Sequence, residues 1–432
     1  MSWYARLQSL TDDHVRMVQG FTLCRQTGII AASIVVAHVL PLEQVGIMEL
    51  LMFSGYLMTS FWSDAFLKGY LSRKNEQNPS LVPSSFLLFC FLAGLFSMSV
   101  LFAARHFLVP FFTDRLELQG LALFGLYQAF VIPLWLAPYI GGLSKHNIIL
   151  VSAFVLIGPS FSVWVGHSSL PEINGILIGL LSFAMVGFIW ILTQMKFIRE
   201  LQLRKLLVIL WPVTWPLILY AVSSAMARSL DAWLVAHYFD ESKFAIFRYG
   251  AREFPLVVAL AGGLSTIMIP RLIQNEALPE LKIRSTRLMN SCYPIVAVLM
   301  IFSPPLFDFV FGVAFRESAL IFNIYLLLTL TQLIFPQTVL TARGDTKLLW
   351  YISLMELIVN VGTSLLLMSQ FGLIGIVWGT LIAFAFEKII LFIVLYKRYQ
   401  IQPNAVFNSS TLLTYAVIFS ITFMSSIWIF GI

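Results

Sequence analysis

Charge is what this sequence has least of. Asp, Glu, Lys and Arg together make up 11% of its 432 residues, while 59% are hydrophobic; soluble domains carry about 25% charged residues. That balance excludes a soluble globular protein and identifies a polytopic membrane protein. Cysteine is scarce too. Cys24, Cys90 and Cys292 fall in apolar segments with no metal-ligand spacing, which excludes a disulfide framework and a zinc site and leaves small buried hydrophobes. Basic blocks are missing as well. The net charge of +6 is spread over many short loops, so nucleic acid is excluded as a partner and the basic residues read as topology signals. No small-residue cleavage site follows the first apolar run, which therefore reads as an uncleaved span. No long loop interrupts the chain, so there is no room for a soluble catalytic domain, and a transporter rather than an enzyme is expected.

What is present is apolar sequence in crossing-sized pieces. At about 20 residues per crossing, thirteen spans fall near 18–40, 45–67, 84–104, 117–140, 148–166, 172–194, 206–239, 245–270, 288–310, 318–342, 348–369, 374–396 and 410–430. With a cytosolic N-terminus, 18 of the 27 lysines and arginines lie inside, and only Arg105, Arg115, Lys243 and Arg316 lie outside. That asymmetry sets the orientation. Prolines at 133, 138, 212, 216, 294 and 336 mark weak points within spans.

Two internal matches point to a duplication. VAHVLPLEQVGI (36–47) and VAHYFDESKFAI (235–246) align without a gap at an offset of 199, both at outside turns. At an offset of 200, NGILIGLL (174–181) aligns with IGIVWGTL (374–381), pairing Gly175 with Gly375 and Gly179 with Gly379. The expected architecture is all-α: two six-helix lobes, 1–200 and 201–400, related by a parallel pseudo-two-fold repeat, plus one additional C-terminal helix within 401–432. The GxxxG pairs read as close-packing faces.

The chemistry concentrates in residues 228–253, which place Arg228, Asp231, Arg248, Arg252 and Glu253 inside or beside two apolar segments. Each intramembrane charge costs about 2.5–3.5 kcal/mol on insertion scales, so these groups must face protein, water or ligand. At helical spacing Arg228 and Asp231 share one face, as do Arg248 and Arg252.

The first hairpin with VLPLEQVGIMEL, the run LDAWLVAHYFDESKFAIFRYGAREFPL, then TARGDTK, Asn360 and FGLIGIVWGTLIAF together resemble the polysaccharide flippases of the multidrug/oligosaccharidyl-lipid/polysaccharide exporter superfamily. The resemblance covers essentially the whole chain, although thirteen spans depart from the twelve or fourteen common among relatives. It implies two lobes around a central cavity with alternating access, an undecaprenyl-diphosphate-linked oligosaccharide as substrate, and the bacterial inner membrane as location. Polysaccharide polymerases and glycosyltransferases are then the expected partners, besides membrane lipids.

Residue chemistry points the same way. A diphosphate calls for permanently charged donors with a planar fork, which arginine supplies. Arg25, Arg228, Arg248 and Arg252 are the expected head-group binders, while Lys388 is expected to snorkel to the cytosolic surface. The competing reading of each arginine is a structural ion pair: Arg228 with Asp231, or Arg248 with Glu49. No cofactor is expected. Glu49, Asp231, Glu253 and Glu356 are candidates for coupling to a proton or sodium; Asp64, Asp308 and Glu387 read as interfacial, and His38 and His237 as hydrogen-bonded residues near turns. A cation-coupled drug or metabolite antiporter is the alternative, but it would need an anionic cavity, and a polymerase or ligase would need an outside catalytic loop.

An odd number of crossings places Ile432 outside. A reporter active only in the cytosol should be silent when fused there and active after Lys205 or Arg287; activity at Ile432 would mean that the final apolar run does not cross.

Overall fold

Inside a bilayer the backbone has no water to bond, so a spanning chain must satisfy its peptide groups within helices or a closed barrel. This chain takes the helical solution. The computed structural model describes residues 3–74, 82–108, 118–195, 202–272 and 277–431, and among them every regular element is a helix. In order these are α1 (Trp3–Val39), α2 (Leu42–Lys74), α3 (Pro83–Leu108), α4 (Leu118–Ile140), α5 (Lys145–Ser169), α6 (Ile173–Gln194), α7 (Leu203–Tyr238), α8 (Glu241–Gly250) and α9 (Pro255–Leu272). They continue with α10 (Leu278–Val310), α11 (Arg316–Leu327), α12 (Thr329–Gln332), α13 (Pro336–Ala342), α14 (Thr346–Phe371), α15 (Leu373–Tyr399), α16 (Pro403–Val406) and α17 (Ser409–Phe430). Eleven described segments are long and apolar enough to cross a membrane. Together with the long α7 and the α8–α9 pair at the seventh and eighth expected spans, they agree with about thirteen crossings. Arg115, Lys196, Arg199, the expected lobe boundary at 200 and Ile432 lie outside the described residues.

The chain divides into two compact units, Met1–Ser229 and Leu230–Ile432, and the division falls within α7. In the first unit α1 packs on α5, α5 on α6, and α4 on α2, α3 and α6. In the second, α14 packs on α15, α11 on α8, α10 and α15, α13 on α9, and α17 on α10.

The same packing device serves both units. On α6, a methyl group at Gly175 would overlap Leu170 O and one at Gly179 would overlap Ser162 O. On α15, Gly375 abuts the backbone of Leu367 and Gly379 abuts Ser364, both on α14. These are the two glycine pairs aligned by the 200-residue offset, and in each unit their missing side chains let two helices touch backbone to backbone.

Two spans are not single helices. The eighth is interrupted by the non-helical residues 251–254 between α8 and α9, which periodicity does not announce. The tenth is broken between α12 and α13, and Pro336 supplies the reason because it has no N–H for the preceding turn. Elsewhere proline is absorbed. Pro304 lies inside α10 and leaves Met300 O without its helical donor, and Asn323 Nδ2 of α11 donates to that carbonyl at 3.0 Å. Asn323, fully buried, also bonds Ser303 at 2.7 Å and Ser426 of α17 at 3.2 Å.

Replacing Gly379 by leucine should destabilise the protein by about 1–3 kcal/mol through overpacking, read as a lowered melting temperature in detergent. An unchanged melting temperature would contradict close approach of α14 and α15.

Candidate functional site

Asp231 stands two turns before the end of α7, and its carboxylate is only 9% exposed. Three neutral donors hold it. Thr380 Oγ1 of α15 donates to Oδ2 at 2.6 Å, Tyr325 Oη of α11 donates to the same oxygen at 3.0 Å, and Asn360 Nδ2 of α14 donates to Oδ1 at 3.3 Å. The amide oxygen of Asn360 accepts from Ser364 at 2.9 Å, and Ser364 also reaches Ile376 O at 3.3 Å. Four separate helices therefore converge on one acid. Among the described residues no basic side chain lies within ion-pair distance of Asp231. Arg228, its expected partner, has a helical backbone in α7, but its side chain lies outside the described residues.

A second polar group lies further along the α14–α15 interface. Glu387 and Lys388, 3% and 9% exposed at the side chain, form an ion pair at 2.8 Å, and Gln337 of α13 donates to the other Glu387 oxygen. Both side chains are enclosed by protein, where an interfacial Glu387 and a snorkelling Lys388 were expected. Lys388 is held by its ion pair with the adjacent Glu387 and is buried with it. Glu356, partly buried on α14, interacts electrostatically with Glu387, Lys388 and Asp231.

At the break after α8, Arg252 places its guanidinium 4.8 Å from the ring centre of Tyr249 and 5.9 Å from that of Phe311, while its Nε donates to Arg248 O at 3.4 Å. Glu253 accepts from Gln332 Nε2 of α12 at 3.1 Å, which ties the first break to the second. In the other unit, Arg25 of α1 lies 5.4 Å over Trp135 of α4, beside a 2.6 Å hydrogen bond shared by Thr22 and Tyr139. Both arginines are half-buried, and among the described residues neither has a carboxylate within ion-pair distance. Glu49 and Arg248 are each held by neighbouring groups. His38 bonds Ile34 O at 2.9 Å, and His237 stacks on Trp233 near the end of α7.

The structure thus brings Asp231 and Glu356 into one polar column, puts Glu253 at a helix break, and holds Arg25 and Arg252 over aromatic rings. Tyr325, Asn360, Thr380, Gln337 and the Glu387–Lys388 pair were not singled out as site residues. The spacing of Glu356, Asn360 and Ser364 at intervals of four residues on one helix is a readable polar stripe, but hydroxyl and amide residues also pack routinely between membrane helices.

The sequence model of the family described as lipid II flippase MurJ matches residues 151–432. The chain belongs to this family. No curated protein matches it. Among solved structures, a lipid II flippase MurJ in an inward closed conformation is similar with a TM-score of 0.57 at 15% identity, over 96% of this chain and 98% of that one. An inward-facing multidrug resistance MATE transporter of the MOP superfamily is similar with a TM-score of 0.60 at 13% identity, over 87% and 94%. At such identities the structures speak for the shared fold. The family description is of a transporter of a lipid-linked substrate, and the superfamily expected from the sequence is the one to which the second structure belongs.

Each donor to Asp231 offers a charge-assisted hydrogen bond of about 1.5–3 kcal/mol. Thr380→Val and Tyr325→Phe should each destabilise by an amount of that order and combine non-additively in a double-mutant cycle. Additive losses would mean that the two hydroxyls do not share one acceptor.

Proposed function

We propose that this protein flips a lipid-linked glycan carrying a diphosphate head group across the bacterial inner membrane, with lipid II as the first candidate substrate. Membership of the lipid II flippase family supports the substrate class. The observation that carries the reading at the level of residues is the state of Arg25 and Arg252. Each guanidinium is positioned over an aromatic face, and no described acid neutralises it. A permanent charge oriented in this way offers its planar N–H fork to phosphate oxygens. Arg248, four residues before Arg252, and Arg228 are further candidates for head-group contact. The undecaprenyl-diphosphate-linked oligosaccharide suggested by the polysaccharide flippases shares the diphosphate, and the family description favours lipid II over that precursor.

Asp231 is the proposed coupling carboxylate. Its surroundings offer carboxylate, hydroxyl, amide and main-chain oxygen, a set suited to a hard monovalent cation or to a proton. Four helices converge there, so uptake of one positive charge would alter contacts on all four. A head-group site and a cation site built in this way suit alternating access.

The test is flipping in cells that depend on this protein, with variants at normal protein level. Arg252→Ala and Arg25→Ala should each lower delivery of the lipid-linked precursor to the outer leaflet by roughly tenfold or more, the loss expected for one charge-assisted contact. Arg252→Lys should retain part of the activity because charge remains while the fork is lost. Asp231→Asn should abolish the response to an imposed sodium or proton gradient. Undiminished delivery by the alanine variants would refute the head-group reading, and loss of surface polysaccharide with intact cell-wall synthesis would replace lipid II by a polysaccharide precursor.

A further inference from the structure

The face of α14 turned toward α15 carries Ile352, Glu356, Asn360 and Ser364 at a constant spacing of four, and the opposing face of α15 carries Ile376, Thr380, Ala383 and Glu387. The two helices pack along their length. Their polar residues therefore form one continuous column. Ser364, Asn360, Thr380 and Asp231 occupy one end, and Glu356, Glu387, Lys388 and Gln337 lie nearer the end where Arg343 and Arg398 gather over Tyr399. Glu356 is one helical turn, about 6 Å, from Asn360 on the same helix.

The lower group does not balance in charge. Glu387 is fully engaged, with Lys388 on one oxygen and Gln337 on the other. The ammonium of Lys388 thereby offsets one carboxylate, and Glu356 remains as the second. Among the described residues, the charged groups that act on Glu356 are Glu387 and Lys388 from α15 and Asp231 from α7, and α13, which also packs on α14, has no charged residue between Pro336 and Ala342. Among the described residues, Arg248 and Glu253 act with opposite signs on Tyr325, which donates to Asp231. With every acid ionised, the trio of Glu356, Glu387 and Lys388 holds one negative charge at membrane depth, where an uncompensated charge is strongly disfavoured.

We propose that Glu356 is a proton-exchange site, a second station on the basic-end side of Asp231, in which the Glu387–Lys388 pair is a built-in neutral partner and Glu356 takes up and releases one proton. Binding a proton makes the trio neutral, and releasing it leaves a carboxylate within electrostatic reach of Asp231. Occupancy of the two stations is then linked: a positive charge taken up at Asp231 eases the departure of the proton from Glu356. Gln337 adds a conformational link, because it sits on the first turn after the Pro336 break and would leave Glu387 if α13 swung away from α15. The proposal depends on the charge balance of α14 and α15 and not on which lipid is carried.

The test needs no transport. The full-length protein in lipid nanodiscs is titrated by infrared difference spectroscopy, following the C=O stretch of protonated buried carboxyl groups. The wild-type protein should show a protonated-carboxyl band that disappears as pH rises, Glu356→Gln should lack it, and Asp231→Asn should keep it. Lys388→Met removes the neutralising ammonium and should move the midpoint of the band to higher pH by about one unit or more. This variant keeps the test open if Glu356→Gln does not fold. Absence of the band from the wild type, its persistence in Glu356→Gln, its loss in Asp231→Asn, or an unmoved midpoint in Lys388→Met would each overturn the proposal. Failure of the flippase reading would instead appear as undiminished lipid delivery by the arginine variants with this titration intact.

Discussion

A carboxylate inside a bilayer has no water to fall back on, and the C-terminal unit is arranged around that constraint at Asp231. Thr380, Tyr325 and Asn360 come from three different helices to donate to it, and Ser364 in turn fixes the amide of Asn360. Buried acids are tolerated when their lone pairs are filled. Filling them with neutral donors from several helices has a mechanical consequence. The acid ties α7, α11, α14 and α15 together, and any change in its charge is felt at all four.

The same constraint governs the backbone. Where proline removes a helical donor in α10, Asn323 supplies one to Met300 O and reaches Ser426 as well, so the repair of one helix also fastens α17 to the unit. Where the chain leaves helical geometry, at 251–254 and again before Pro336, a hydrogen bond from Gln332 to Glu253 spans the two interruptions. Non-helical backbone at membrane depth is tolerated where it is covered by protein or lines a watered space. Arg252 sits on such a segment, held over Tyr249 and Phe311, where its guanidinium is oriented and no described acid neutralises it.

Close packing of α14 on α15 makes the polar column possible. Gly375 and Gly379 bring the backbones together, and that approach places Thr380 within reach of Asp231 and Glu387 within electrostatic reach of Glu356. The corresponding glycines of α6 serve α5 in the same manner but without acids on the facing stripe. A glycine-mediated helix pair thus serves as plain structure in one unit and as a charged column in the other.

Much of this was written in the chain itself. Hydropathy and the placement of lysine and arginine are properties of local segments against a bilayer of set thickness, and they yield the spans and the membrane class without knowledge of any tertiary partner, as the GxxxG spacing yields the close-packing glycines. The motifs around 228–253 likewise pointed to a flippase of a lipid-linked substrate, the level at which the family model matches. What local sequence could not decide was which acid each base meets. Glu387 and Lys388 look interfacial by position, yet they are buried, paired with each other and met by Gln337 on the first turn after the Pro336 break. Asp231 is met by Tyr325, Asn360 and Thr380, since three helices distant in sequence deliver their hydroxyl and amide groups to it. The sign and spacing of charges are linear information; their compensation depends on which helices touch, and only the packed structure decides that.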